Sequence, residues 1–120
     1  MVEYDVATYL ADKLGLVLGT DIFANCLPED VDYGVYVRVL DEEYEDGKLS
    51  SSIIGTFICK GSYFDCRNLA VSVKDALCDM KGMDTWTTGS HVNITNLGTN
   101  ARGDEMLVVT ANVFFNNGGN

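Results

Sequence analysis

The segment Met106 to Phe115 constrains the fold more than any other. It reads Met-Leu-Val-Val-Thr-Ala-Asn-Val-Phe-Phe, with no charge, glycine or proline. Side chains along a strand point alternately to two faces. One set here, Leu107, Val109, Ala111, Val113 and Phe115, is wholly apolar. The other set, Met106, Val108, Thr110, Asn112 and Phe114, is mixed. A strand of this kind, placed over residues 105–115, needs strand partners and a second layer over its apolar face.

The partners are legible in part. Val35, Val37 and Val39 alternate with Tyr36, Arg38 and Leu40, which predicts a strand over 34–40. Ile54, Thr56 and Ile58 oppose Ile53, Phe57 and Cys59 in a second strand over 52–60, joined to the first as a hairpin with a long polar loop. Val92 and Ile94 alternate with His91, Asn93 and Thr95 in a third over 90–96. The covering layer comes from two helical stripes. Val6, Tyr9, Leu10 and Leu14 recur at steps of three and four within 4–15, and Gly15 or Gly19 can end that helix. Cys66, Leu69, Ala70, Val73, Ala76, Leu77 and Met80 do the same within 63–80, where Ser62 can cap the start and Gly82 follows the end. Between 18 and 32 the apolar Ile22, Phe23 and Leu27 predict a loop packed onto the body. The expected fold class is α+β: a two-layer sandwich with one four-stranded, mostly antiparallel sheet and two helices on one face, in the order αββαββ. Residues 1–116 form one domain in this reading, with a frayed tail at 117–120. Val35, Val37, Val39, Leu69, Val73, Leu77, Leu107, Val109 and Val113 make the expected core.

Charge narrows the function. Eighteen acids against eight bases give a formal net charge of −10, and the bases are scattered singly. Binding nucleic acid by phosphate neutralisation needs a basic footprint. No apolar run approaches the ~18 residues that span a bilayer. Glu3 and Asp5 stand where an export signal would carry positive charge. The expectation is a soluble, unexported chain with reduced thiols at Cys26, Cys59, Cys66 and Cys78, which lack the spacing of a zinc site. No phosphate loop, dinucleotide fingerprint, nucleophile elbow or zinc-protease motif occurs, and His91 is the sole histidine. We therefore expect no catalytic residue, no cofactor and no metal. Arg102-Gly103-Asp104 spells an adhesion tripeptide, and Asn93-Ile94-Thr95 a glycosylation acceptor; the first reads as a turn and the second as strand interior.

Two features point to an interaction surface. Glu42, Glu43, Tyr44, Glu45 and Asp46 follow Asp41 in the most biased stretch of the chain, either a solvated hairpin tip or an arm that reaches a neighbour or lines a lumen. Met106, Val108 and Phe114 lie on the face of the last strand away from the helices, where a partner could bury them.

Several stretches resemble the tail-terminator, tail-completion or minor capsid proteins of long-tailed bacteriophages. Leu14-Gly15-Leu16-Val17-Leu18-Gly19-Thr20-Asp21-Ile22-Phe23 with Leu27-Pro28 is similar to their opening helix, turn and Leu-Pro step. Gly61-Ser62-Tyr63 opens a helix containing Ala70 and Leu77, with Lys60 near a commonly basic place. Gly103-Asp104-Glu105 precedes a closing strand ending in Phe114-Phe115-Asn116. The acidic run at 41–46 departs from that pattern. The resemblance implies a ring of six copies that caps the tail tube at the phage neck. It implies the tail tube protein on one side, a head-completion or connector protein on the other, and DNA passing through the lumen without specific binding. Such a protein resides in the virion at the head–tail junction after assembly in the bacterial cytoplasm. Candidate interface residues are then Phe23, Leu27, Glu42, Glu43, Tyr44, Glu45, Asp46, Met106, Val108 and Phe114. Other classes compatible with the residues are a different neck or minor capsid protein, a small cytoplasmic binding module and, on His91 and scattered acids alone, an enzyme.

Overall fold

Helix α1 (Val2–Leu14) buries Val2, Val6, Ala7, Leu10 and Ala11, the positions that share one face at 3.6 residues per turn. Glu3 and Asp5 in its first turn and Lys13 in its last complement the helix dipole. Gly15 stops it at φ 69, a left-handed geometry that costs glycine nothing, and its N–H returns to the Ala11 carbonyl. The computed structural model describes residues 1–116, the side chain of Ser90 excepted. The tail at 117–120, expected to fray, lies outside the described residues. Helix α2 (Tyr63–Asp79) starts at Ser62, whose hydroxyl accepts the Asp65 backbone N–H at 3.2 Å. Its buried stripe is Cys66, Ala70, Val73, Ala76 and Leu77.

The sheet corrects the expected architecture. It has six strands among the described residues, not four: β1 (Ile22–Ala24), β2 (Gly34–Glu45), β3 (Lys48–Lys60), β4 (Gly82–Met83), β5 (Trp86–Thr99) and β6 (Glu105–Phe115). Their order across the sheet is β1-β2-β3-β6-β5-β4. β1 runs parallel to β2 and the other strand pairs are antiparallel, with one further parallel bridge between Leu18 and Ile22, so the sheet is mixed and the order αββαββ does not hold. The sheet curls into a half-barrel. The difference has two physical sources. Ile22 and Phe23 do not merely pack a loop down; their backbone also docks on Val35 and Tyr36. Gly82 turns at φ 93 and lets a two-residue strand fold back on Trp86.

The hairpin loop expected after residue 40 is also corrected. β2 continues through the acidic run to Glu45, and the connection to β3 is only Asp46-Gly47. Both turn residues have positive φ, 53 and 78, the two-residue hairpin geometry that matches the twist of the flanking strands. A bulge between Val39 and Asp41 offsets the register along the way.

One face of the sheet meets both helices. A row across it runs from Val37 through Thr56 and Val109 to Ile94. Val35, Val37, Val73, Leu77, Leu107, Val109 and Val113 are buried as expected from the sequence, while Val39 and Leu69 are half-buried at its margin. Thr56 sits in the middle of this face, fully buried, and its hydroxyl has no hydrogen-bond partner among the described residues. An unsatisfied buried hydroxyl costs about 1–3 kcal/mol. Thr56→Val keeps the branched shape and removes that group, so it should raise stability by ~1 kcal/mol in urea unfolding. A loss of stability would mean that the hydroxyl is satisfied.

Candidate interaction surface

The other face of the sheet carries no helix. Along β2 it presents Tyr36, Arg38 and Leu40; along β3, Cys59, Phe57, Gly55 and Ile53; along β6, Met106, Val108, Thr110, Asn112 and Phe114. The Tyr36 and Phe57 rings stack with centroids 4.8 Å apart and planes 8° from parallel. Burial in this stack raises the Tyr36 phenol above its ordinary pKa. Gly55 has a steric role here. A Cβ on it would lie 2.7 Å from Leu40 Cδ1, so only glycine lets Leu40 lie across the face. Leu40, Ile53 and Phe114 stay 45%, 36% and 47% exposed, which leaves a band of large apolar side chains in water.

Beyond that band the β2–β3 hairpin overhangs the sheet. β6 pairs with β3 only as far as Ser51, so Tyr44 to Ser50 extend past it, by roughly 10 Å at about 3.3 Å per residue. Residues 41–46 are all exposed. Ser51 donates to Glu43 Oε2 at 3.3 Å, and Lys48 stands across from Glu45 in the ladder, the one base beside five acids. An open cleft of about 630 Å³ lies at the foot of the arm, lined by Glu43, Glu45, Asp46, Lys48, Phe114 and Phe115. Acid and exposed aromatic surface thus meet at one end of the sheet.

The opposite end is tied down by polar contacts. Asp104 is buried; its carboxylate accepts from the Tyr33 hydroxyl at 3.1 Å, from Asn100 Nδ2 at 3.3 Å and from Arg102 at 3.0 Å. That hydrogen bond and charge raise the Tyr33 phenol. The Arg102-Gly103-Asp104 turn therefore holds its aspartate inward, where an adhesion receptor cannot reach it. His91, Asn93 and Thr95 are exposed on β5 with no catalytic partner bonded to them among the described residues.

The ten candidate interface residues do not form one patch. Glu42, Glu43, Tyr44, Glu45, Asp46 and Phe114 gather at the hairpin end. Leu27 and Met106 gather at the other, in a smaller cleft with Tyr36 and Arg38. Met106 and Phe114 are eight residues apart on β6, roughly 26 Å at strand spacing. Phe23 and Val108 are 8% and 5% exposed, already buried within the subunit and unable to offer much to a partner. Leu40, Ile53, Tyr36 and Phe57 were not among the candidates. Tyr36 and Leu40 alternate with the expected core residues Val35, Val37 and Val39 and so face away from the helices, whereas the alternation of β3 does not show which of its faces the helices cover.

The four cysteines are free. Cys59 and Cys66 are buried, and burial pushes both thiols up. The Cys66 thiol donates to the Ile58 carbonyl at 3.4 Å. Cys26 and Cys78 are exposed. Since the thiolate is the reactive form, thiol titration of the folded protein near pH 8 should find two fast cysteines and two that react only on unfolding. Four fast thiols would contradict this packing. Among the described residues no cluster of three or more His, Cys, Asp or Glu is placed to hold a metal, and no helix is long and apolar enough to cross a membrane. No protein-family model matches the chain, and no curated protein matches it.

Proposed function

We propose that this chain is a non-enzymatic assembly subunit that repeats itself into a ring, in the manner its resemblance to phage tail terminators implies: a ring that closes the tail tube and receives the head-side connector. The observation that carries the reading is the uncovered sheet face, with Leu40, Ile53 and Phe114 held in water next to the acidic arm. A monomer gains nothing from such a band; a neighbour that buries it does. The sheet edges add support. β1 covers β2 only at residues 35–37 and β4 covers β5 only at 86–87, so long stretches of both edges have no strand partner among the described residues.

The acidic arm fits a surface along which DNA passes without adhering. Assembly state tests the proposal. Mass photometry and negative-stain imaging over a range of concentration and salt should reveal rings with a central opening. A monomer or a two-fold dimer at every condition would count against it and favour a small binding module.

A further inference from the structure

On the helical side of the molecule, α1 and the β4–β5 turn enclose a groove of about 510 Å³ that the sheet face does not touch. Its lining includes Tyr4, Asp5, Tyr9, Asp12, Met83 and Trp86. Asp5, Tyr9 and Asp12 fall at steps of four and three, so they form one stripe of α1 beside its buried stripe. The walls are fixed in place. The Trp86 indole N–H donates to Asp5 Oδ2 at 3.2 Å, and the Tyr9 hydroxyl donates to the Ala76 carbonyl at 2.8 Å. Gly82 presses so closely on Trp86 that a Cβ there would lie 2.5 Å from the Trp86 carbonyl oxygen. Tyr4 and Met83 stand at the mouth, 51% and 55% exposed. Asp12 forms no ion pair among the described residues. Among the described residues no lysine or arginine lines the groove.

We propose that this groove receives basic side chains, arginine above all, from a segment of a partner protein. Aromatic faces, a thioether and two carboxylates, with no base among them, attract an organic cation on an apolar stem. A guanidinium stacks on tyrosine and pairs with a carboxylate through two N–H groups, which an ammonium cannot do. Asp5 and Asp12 are seven residues apart on one helix, roughly 10 Å at 1.5 Å per residue. One small ion cannot serve both; an extended segment with two spaced basic residues can. The groove borders the β4–β5 edge of the sheet, but its lining on β5 ends at Trp86, short of the stretch that β4 leaves uncovered, and its test does not depend on ring closure.

Trp86 is the only tryptophan, so its emission reports on the groove. The probe is a short peptide with two arginines three residues apart, titrated into the full chain at low salt. The controls are the same peptide with glutamines and free arginine amide. We expect a saturable change in emission with the arginine peptide and none with the glutamine peptide. Asp12→Asn and Tyr4→Ala should each weaken binding about tenfold or less, the range of one cation–π or ion-pair contact. Both positions are exposed, so melting curves should stay unchanged. No saturable change, equal binding of the glutamine peptide, or full binding to Asp12→Asn would overturn the proposal. Arginine amide binding as tightly as the peptide would overturn the partner segment and leave a site for small free cations.

Discussion

Leu77→Ala should destabilise the fold by about 2–5 kcal/mol, the cost of removing a large side chain from an enclosed site that only partly collapses. Leu77 is 3% exposed on α2 and packs into the cluster that joins both helices to the sheet. Its neighbour in the same sequence stripe, Leu69, is only half-buried. Leu69→Ala should therefore cost clearly less, ~1 kcal/mol by the apolar area at stake. At a few degrees per kcal/mol for a domain of this size, Leu77→Ala should lower Tm by roughly 10 °C or more, and Leu69→Ala by a third of that. Equal losses at the two positions would mean that α2 is rotated about its axis from the placement described.

The double substitution Ile53→Glu and Phe114→Glu should abolish self-association while leaving the fold intact. Both side chains point from the open sheet face into water, so neither supports the core. In a closed interface each would have to bury a carboxylate beside Asp41 and Glu43, like charges that repel it, and centrally placed apolar anchors commonly account for more than 2 kcal/mol apiece, about thirtyfold in affinity. Salt should act in the opposite sense. Each copy carries a formal charge of −10, so a ring of six would carry about −60 before screening. Apolar burial must close the ring against that repulsion. Raising salt towards 1 M shortens the screening length to ~3 Å and should strengthen assembly of the wild type. Dissociation by salt would indicate instead that ion pairs such as those of Lys48, Lys60 or Arg102 hold the contact.

The sequence is informative where one physical signal dominates. β6 occupies 105–115 as its alternation dictates, and both helices fall within about two residues of their stripes. The acidic arm shows the opposite case. Five acids in six residues suppress the apolar alternation that marks a strand, so the connection reads as a long polar loop although an Asp-Gly pair, here Asp46-Gly47, favours a two-residue turn. β5 runs from Trp86 to Thr99, far beyond 90–96, because bulges between Thr88 and Val92 and between Asn96 and Gly98 break its period. β1 and β4 are three and two residues long and exist through tertiary pairing alone. The candidate surface was legible in the sequence only in part, and not as a patch. Phe114 and Glu43 lie far apart in sequence and meet only through the β3–β6 register, while Val108, apolar and outward, is covered within its own subunit. The groove between α1 and Trp86 had no local signal, since its two walls lie about eighty residues apart.

Imaging this protein inside an assembled particle by cryo-electron microscopy tests the account most directly. The account predicts six copies in one ring at the head–tail junction. Ile53 and Phe114 should be buried between neighbours, and residues 41–46 should face the lumen or an adjoining subunit. A chain found away from any tail axis, or one whose open sheet face and acidic arm remain in solvent in every assembled state, would contradict it.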